Sequence, residues 1–169
     1  MIEIRDEQPG DEDAVRLVNL AAFRNGPEAG VVDKLRQAGT RFHSYVAVDQ
    51  GKIVGHILFT PVMLDGASAI GAGLAPLAVS PDSQRKGIGT DLVGHGLERM
   101  RSAGYPFVVV LGHPAYYPRF GFEGAAHHGL RSQWENVPDD AFMVVVFRPE
   151  ELPQAGGVVR YRSEFDDCT

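Results

Sequence analysis

The sequence predicts a single mixed α/β domain, and three observations carry that prediction. Apolar residues recur with a two-residue period in some segments and with a 3.6-residue period in others. The two kinds of segment follow one another in the order strand, two helices, three strands, helix, strand, short helix, strand. The chain has 169 residues, of which 44% are hydrophobic and 22% charged. That suits one core, and there is no repeat, low-complexity tract or long linker to divide it. The reading is therefore one domain over residues 1–169, with 150–169 as a C-terminal extension.

Each element has its own signal. "IEIRD" alternates, with Ile2 and Ile4 on one face of a first strand. "DEDAVRLVNLAAF" puts Ala14, Leu17, Val18 and Ala21 on one helical stripe, and the acids at its start suit the positive end of a helix dipole. "GPEAGVVDKLRQAG" offers a second helix, with Pro27 near its start and Gly39 after it. "SYVAVDQGKIVGHILFTPV" reads as a hairpin turning at Gln50-Gly51. "GAGLAPLAV" is the next strand, and Pro76 inside it argues for a bulge or a splayed edge. From Gly87 to Ala103 the pattern is helical, with Ile88, Leu92, Leu97, Met100 and Ala103 on a broad face and Gly104 as a stop. "PFVVVLG" is continuously apolar, as in a strand buried on both faces. "AYYPRFGF" is a short turn or helix, "AFMVVVF" a further strand, and "GVVRYRSEF" an added C-terminal strand.

Composition excludes several function classes. A formal net charge of −6 argues against binding a phosphate backbone over the whole surface, so no nucleic-acid partner is expected. No apolar run reaches the roughly 18–20 residues that span a bilayer, so no membrane is expected either. The acidic start "MIEIRDEQPGDEDAV" lacks the apolar core of a signal peptide, which makes the cytoplasm the default location. The lone Cys168 rules out an internal disulfide framework and reads as a frayed terminal thiol.

The chemistry concentrates in "PLAVSPDSQRKGIGTDL", residues 76–92. Its glycines lie between an apolar strand and an amphipathic helix, where the backbone can turn sharply and approach a ligand. Several N–H groups then converge with a helix dipole behind them, which suits a pyrophosphate. A Walker A loop would need G-x-x-x-x-G-K-[ST], and none is present. A Rossmann fingerprint would need a third glycine or alanine where Leu92 stands, so that match fails too. "LAVSPDSQRKGIG" instead resembles the acyl-CoA-binding signature of the GNAT superfamily of N-acetyltransferases, Q/R-x-x-G-x-G/A, here Gln84 to Gly89. The order of elements over roughly residues 2–147 is also that of the GNAT fold. "LGHPAYYPRFGF", residues 111–122, is similar to the YhbS-type branch of that superfamily.

The resemblance implies an α/β fold with a mixed, mostly antiparallel central sheet flanked by helices and splayed between the fourth and fifth strands. It implies acetyl-CoA as co-substrate. The pantetheine arm would lie along the backbone of Leu77, Ala78 and Val79. The pyrophosphate would take backbone N–H groups of Arg85, Lys86, Gly87, Ile88, Gly89 and Thr90, with Gln84 opening the turn. Thr90 caps the helix or reaches a phosphate; Arg85 and Lys86 are solvated or reach the adenosine phosphates. In Y-x-[KR]-x-G-F, here Tyr117 to Phe122, the tyrosine protonates the departing thiolate. Tyr117 is thus the candidate catalytic residue, with a packed aromatic against CoA as the other reading. Moving a proton from a phenol near 10 to a thiolate near 8.5 is uphill by about 1.5 pKa units, roughly 2 kcal/mol, and a field that stabilises phenolate would narrow the gap.

The expected reaction is direct attack of an amine on the thioester through a tetrahedral intermediate. No G-x-S-x-G elbow points to a covalent acyl-enzyme. Some relatives place a basic glutamate on the strand before the loop, but "GAGLAPLAV" holds no acid. His113 and His56 are then candidates for a base, each also readable as a satisfied structural histidine. His127-His128 cannot converge on one ion and no H-E-x-x-H is present, so no metal is expected. The acceptor, a small-molecule or peptide amine, would sit among the first two helices, the turn at 61–69 and the region after Phe122. The acidic balance hints that it is cationic. A non-catalytic acyl-CoA-binding module, or transfer of a longer acyl chain, is the alternative, and a homodimer through an exposed C-terminal strand is a further expectation.

Overall fold

A computed structural model of the chain describes residues 1–24 and 26–168; Asn25 and Thr169, which the one-domain reading spans, lie outside the described residues. The elements are β1 (Ile2–Asp6), α1 (Glu12–Phe23), α2 (Pro27–Gln37), β2 (His43–Asp49), β3 (Lys52–Leu64), β4 (Ile70–Val79), α3 (Ile88–Ser102), β5 (Phe107–Leu111), β6 (Glu123–Gly124), β7 (Leu130–Ser132), β8 (Phe142–Val146) and β9 (Gly157–Arg160). The sheet runs β1-β2-β3-β4-β5-β8-β6, with β9 joined to β3 and β7 joined to β9. Pairings β1–β2, β2–β3, β3–β9, β5–β8 and β6–β8 are antiparallel. Pairings β4–β5 and β7–β9 are parallel.

The chain forms two compact units. The first comprises Met1–Phe59, Pro76–Gly96 and Ser163–Cys168. Here Gln50 (φ 51°) and Gly51 (φ 78°) turn β2 into β3, the left-handed pair that matches strand twist in a two-residue hairpin. Gly55 on β3 is bare where α3 crosses it. A Cβ there would stand 3.0 Å from both Ile88 and Leu92, so the glycine lets the start of α3 lie close on the sheet. Gly96 does the same later in α3, where the Phe59 ring fills the space a Cβ would occupy.

In α1 the predicted stripe is out of phase by one residue. Val15, Val18 and Asn19 are buried, whereas Leu17 is 65% exposed and Ala21 is exposed. The physical reason is Asn19, a polar side chain on the buried face. It donates from Nδ2 to the Val15 carbonyl at 3.0 Å and faces His56 Nδ1 at 3.1 Å. Its polar identity conceals the true face from a periodicity argument.

The second unit comprises Thr60–Ala75 and Leu97–Arg162. Phe107 to Val110 are all buried, as a strand covered on both faces must be. Gly71 and Gly73 on β4 admit the Phe107 and Tyr161 rings, each closer than a Cβ would allow. β9 has a partner on each side: Met63–Leu64 of β3 and Leu130–Ser132 of β7. The exposed strand expected as a dimer edge is therefore occupied along both edges. The short β6 and β7 are not readable from the sequence, because segments of two and three residues show no period.

Candidate active site

β4 is the first part of the site. It pairs with β5 over three positions only, Ala72 with Val108 to Leu74 with Val110. β4 itself continues to Val79, and among the described residues it has no β5 pairing beyond Leu74. Pro76, which carries no N–H, sits just past that limit. The predicted splay between the fourth and fifth strands is thus present. Past Pro76, Ala78 is buried while Leu77 and Val79 are half-buried.

The second part is the loop that follows. One 3-10 turn spans Pro81–Ser83. The Gln84 side chain then folds back, and its Nε2 donates to the Val79 carbonyl at 3.0 Å. Arg85 (φ 64°) and Gly87 (φ 83°) are both left-handed, and a left-handed arginine is uncommon. The first helical bond at this end is Asp91 N to the Gly87 carbonyl, 3.0 Å. The backbone N–H groups of Arg85, Lys86, Gly87, Ile88 and Gly89 have no partner among the described residues. Five successive donors, alternating handedness and the N-terminus of the 15-residue α3 make an anion-binding nest. Ile88 is buried and anchors the nest to the Gly55 gap, while Arg85, Lys86 and Gly87 are exposed.

The third part, in the second unit, is Tyr117. The His113 carbonyl accepts from the amides of Tyr116 and Tyr117 at 3.0 and 3.3 Å, starting the turn that holds the ring. Gly121 closes that turn at φ 95°, its N–H donating to the Pro118 carbonyl. The Tyr117 ring is 8% exposed and packs edge-on against Phe122 and Tyr116, at 5.7 and 5.1 Å between centroids. It also covers Gly112, where a Cβ would stand 2.3 Å from the ring. The hydroxyl has no hydrogen-bond partner among the described residues. Burial, and then the neighbouring Tyr116, push the phenol up to about 12. The surroundings therefore disfavour phenolate and widen its gap to the thiolate rather than narrow it.

Arg119, the third residue of the motif, is exposed. It stacks on the Tyr116 ring at 4.4 Å and donates to the Tyr116 carbonyl at 2.8 Å. Its contacts are with Tyr116 rather than with Tyr117.

The two histidines separate clearly. His56 is fully buried in the first unit. The Asn19 amide group donates to its Nδ1, so the ring proton sits on Nε2, which faces Ser44 Oγ at 2.8 Å. Ser44 Oγ in turn donates to Glu7 Oε1 at 2.6 Å, and Arg36 grips both Glu7 oxygens at 2.7–2.8 Å. Burial first, then the Arg36 charge, lowers His56 to about 3. It is a satisfied core histidine and not a base. His113 is exposed at the head of the Tyr117 turn. Among the described residues no group of three potential metal ligands converges, and no helix is long and apolar enough to cross a membrane.

These features are those of a GNAT acetyltransferase. Residues 3–125 match the acetyltransferase (GNAT) domain family, and the chain belongs to it. More particularly, the chain is 37% identical over 164 residues to the uncharacterized N-acetyltransferase YhbS of Escherichia coli strain K12, covering 96% of this chain and 98% of that protein. The crystal structure of E. coli YhbS in complex with CoA matches with a TM-score of 0.91, over 98% of this chain and 92% of that one. A GNAT family acetyltransferase from Brucella melitensis, solved in complex with acetyl-CoA, matches at 0.82 and 37% identity, over 98% and 99% of the two chains.

Proposed function

We propose that this protein is an acetyl-CoA-dependent N-acetyltransferase acting in the cytoplasm on an amine. The observation that carries this reading is the run of unpartnered amides from Arg85 to Gly89 at the start of α3, in a chain whose relatives hold CoA and acetyl-CoA. Those amides, with Thr90 and the Gln84-braced turn, take the pyrophosphate. Leu77, Ala78 and Val79 offer backbone to the pantetheine arm. Tyr117 supplies the proton to the leaving sulfur.

In the reaction, the amine nitrogen forms a bond to the acetyl carbon and the carbon–sulfur bond breaks. Sulfur takes the electron pair and the Tyr117 proton. The proton shed by nitrogen returns through solvent to the phenolate, so the sum is amine plus acetyl-CoA giving amide plus CoA. A phenol near 12 facing a thiol near 8.5 leaves a gap of about 3.5 pKa units, about 5 kcal/mol. Burial raises the thiol for the same reason that it raises the phenol, so the gap inside a dry site is smaller.

Titration calorimetry with CoA and acetyl-CoA tests the binding half, and thiol release with a panel of amines tests the catalytic half. Absence of any heat at millimolar ligand would remove the assignment. Tight binding with no turnover on any amine would favour a non-catalytic acyl-CoA-binding module.

A further inference from the structure

The second unit contains a half-open pocket of about 250 Å³ in the segment between β6 and β8. Its lining combines apolar Leu130 and Phe142, aromatic Trp134 and three charges, Arg131, Glu135 and Asp139. Trp134 is held in place: its ring lies on Tyr161 at 5.0 Å, and its amide donates to Ser132 Oγ at 3.1 Å. None of the three charged side chains has an ion-pair or hydrogen-bond partner among the described residues, unlike the exposed pairs Arg148–Glu151 and Arg160–Asp65 in the same unit. The lining is net −1, from two carboxylates and one guanidinium.

Backbone pairing ties the pocket, through Phe142, to the strand end that Tyr117 covers. Gly112 N–H donates to the Ala141 carbonyl at 3.0 Å, and Leu111 pairs with Phe142. Gly112 is the residue that the Tyr117 ring covers, and Phe142, which lines the pocket, follows Ala141.

We propose that this pocket selects the acceptor, and that it takes a second organic cation on a small acceptor, not the amine that is acetylated. This rests on the acetyltransferase reading above. The reacting nitrogen must be neutral to attack, so a group that binds by positive charge is better suited to a nitrogen that does not react. Glu135 and Asp139, two carboxylates without a cation partner among the described residues, stabilise an ammonium in its charged form. They assist binding if they meet a different ammonium, and Trp134 adds the attraction of an aromatic face for a cation. A pocket just below the usual range of roughly 300–1,000 Å³ admits one such group with its alkyl stem. The acceptor class is thus an aliphatic diamine or an amine bearing a guanidinium.

Trp134 is the only tryptophan in the chain, so its fluorescence reports this pocket independently of turnover. An α,ω-diamine should change the emission with an affinity at least about five-fold tighter than the n-alkylamine of equal length. Glu135→Gln with Asp139→Asn, both exposed and without partners, should remove that preference while leaving acetyl-CoA affinity and turnover of the monoamine unchanged. In turnover, kcat/KM should favour the diamine about ten-fold in the unaltered protein and about equally in the double variant. Equal response to the two amines, or a preference that survives the double variant, would overturn the proposal. Loss of acetyl-CoA binding in the unaltered protein would instead strike the acetyltransferase reading, and the fluorescence titration would still decide the pocket.

Discussion

Tyr117 is where a single side chain decides between catalysis and packing. Its ring is fixed by three aromatic neighbours and by the bare face of Gly112. In the proposed reaction, a hydroxyl held this firmly needs no further ordering to protonate the thiolate. Tyr117→Phe should lower kcat roughly ten-fold or more with acetyl-CoA affinity nearly unchanged, measured by thiol release at saturating substrates and by calorimetry. Because burial raises the phenol to about 12, the acid form is the one present throughout the working range. The kcat profile should therefore show no alkaline decline below about pH 10 from this group. Gly112 carries a separate test. Gly112→Ala puts a methyl group where the ring lies, so the ring must move or the strand must yield. The unfolding midpoint should drop, by about 1–3 kcal/mol of overpacking, and kcat should fall by a factor similar to that of Tyr117→Phe. If both act through the same phenol, the double variant turns over no more slowly than the worse single one.

At the scale of elements, α3 and its approach loop form one device. The helix is seated by Ile88 and Leu92 over Gly55 and by Gly96 over Phe59, and the donors of its first turn face the loop. Gly87 supplies a left-handed link, φ 83°, with nothing within 4 Å of where a methyl group would stand. Gly87→Ala therefore costs conformational energy without a clash, about 1–2 kcal/mol. Calorimetry should show CoA binding weakened by roughly ten-fold. Gly94 is the control, exposed inside α3 with equally open surroundings. Gly94→Ala should leave CoA affinity alone and raise the unfolding midpoint, by about 1 kcal/mol. The loop is legible in the sequence because glycine spacing and a following amphipathic run are local signals. The left-handed Arg85 is not, since no residue type announces that conformation. The phase of α1 is hidden for a related reason: Asn19 is buried through a bond to His56, 37 positions away, and periodicity cannot reveal such a partner. Trp134, Glu135 and Asp139 are reached from the sequence only as part of the region after Phe122, because an irregular segment has no period to read.

For the molecule as a whole, the sequence carries the order of elements and the splayed strand, while the pairings of β6, β7 and β9 depend on contacts between distant residues. The polar chain inside the first unit is the clearest of these contacts, and it sets a pH limit on folding. Arg36, Glu7, Ser44, His56 and Asn19 lie in one hydrogen-bonded line drawn from α2, the residue after β1, then β2, β3 and α1. His56 is neutral there, lowered to about 3 by burial and by Arg36, whereas in the unfolded chain it titrates near 6.5. Between those two values the unfolded state binds a proton that the folded state refuses. The contribution is therefore complete above about pH 6.5 and declines as pH falls toward 3, with a slope approaching about 1.4 kcal/mol per pH unit. Denaturant unfolding at a series of pH values should show this decline beginning near about 6.5, above the range in which carboxylates titrate. His56→Gln keeps a polar side chain in the line and removes the titration. It should be less stable at neutral pH, and its stability should be flat between about pH 6.5 and 5. A decline of equal slope in that variant would show that another group, and not His56, limits the fold in acid.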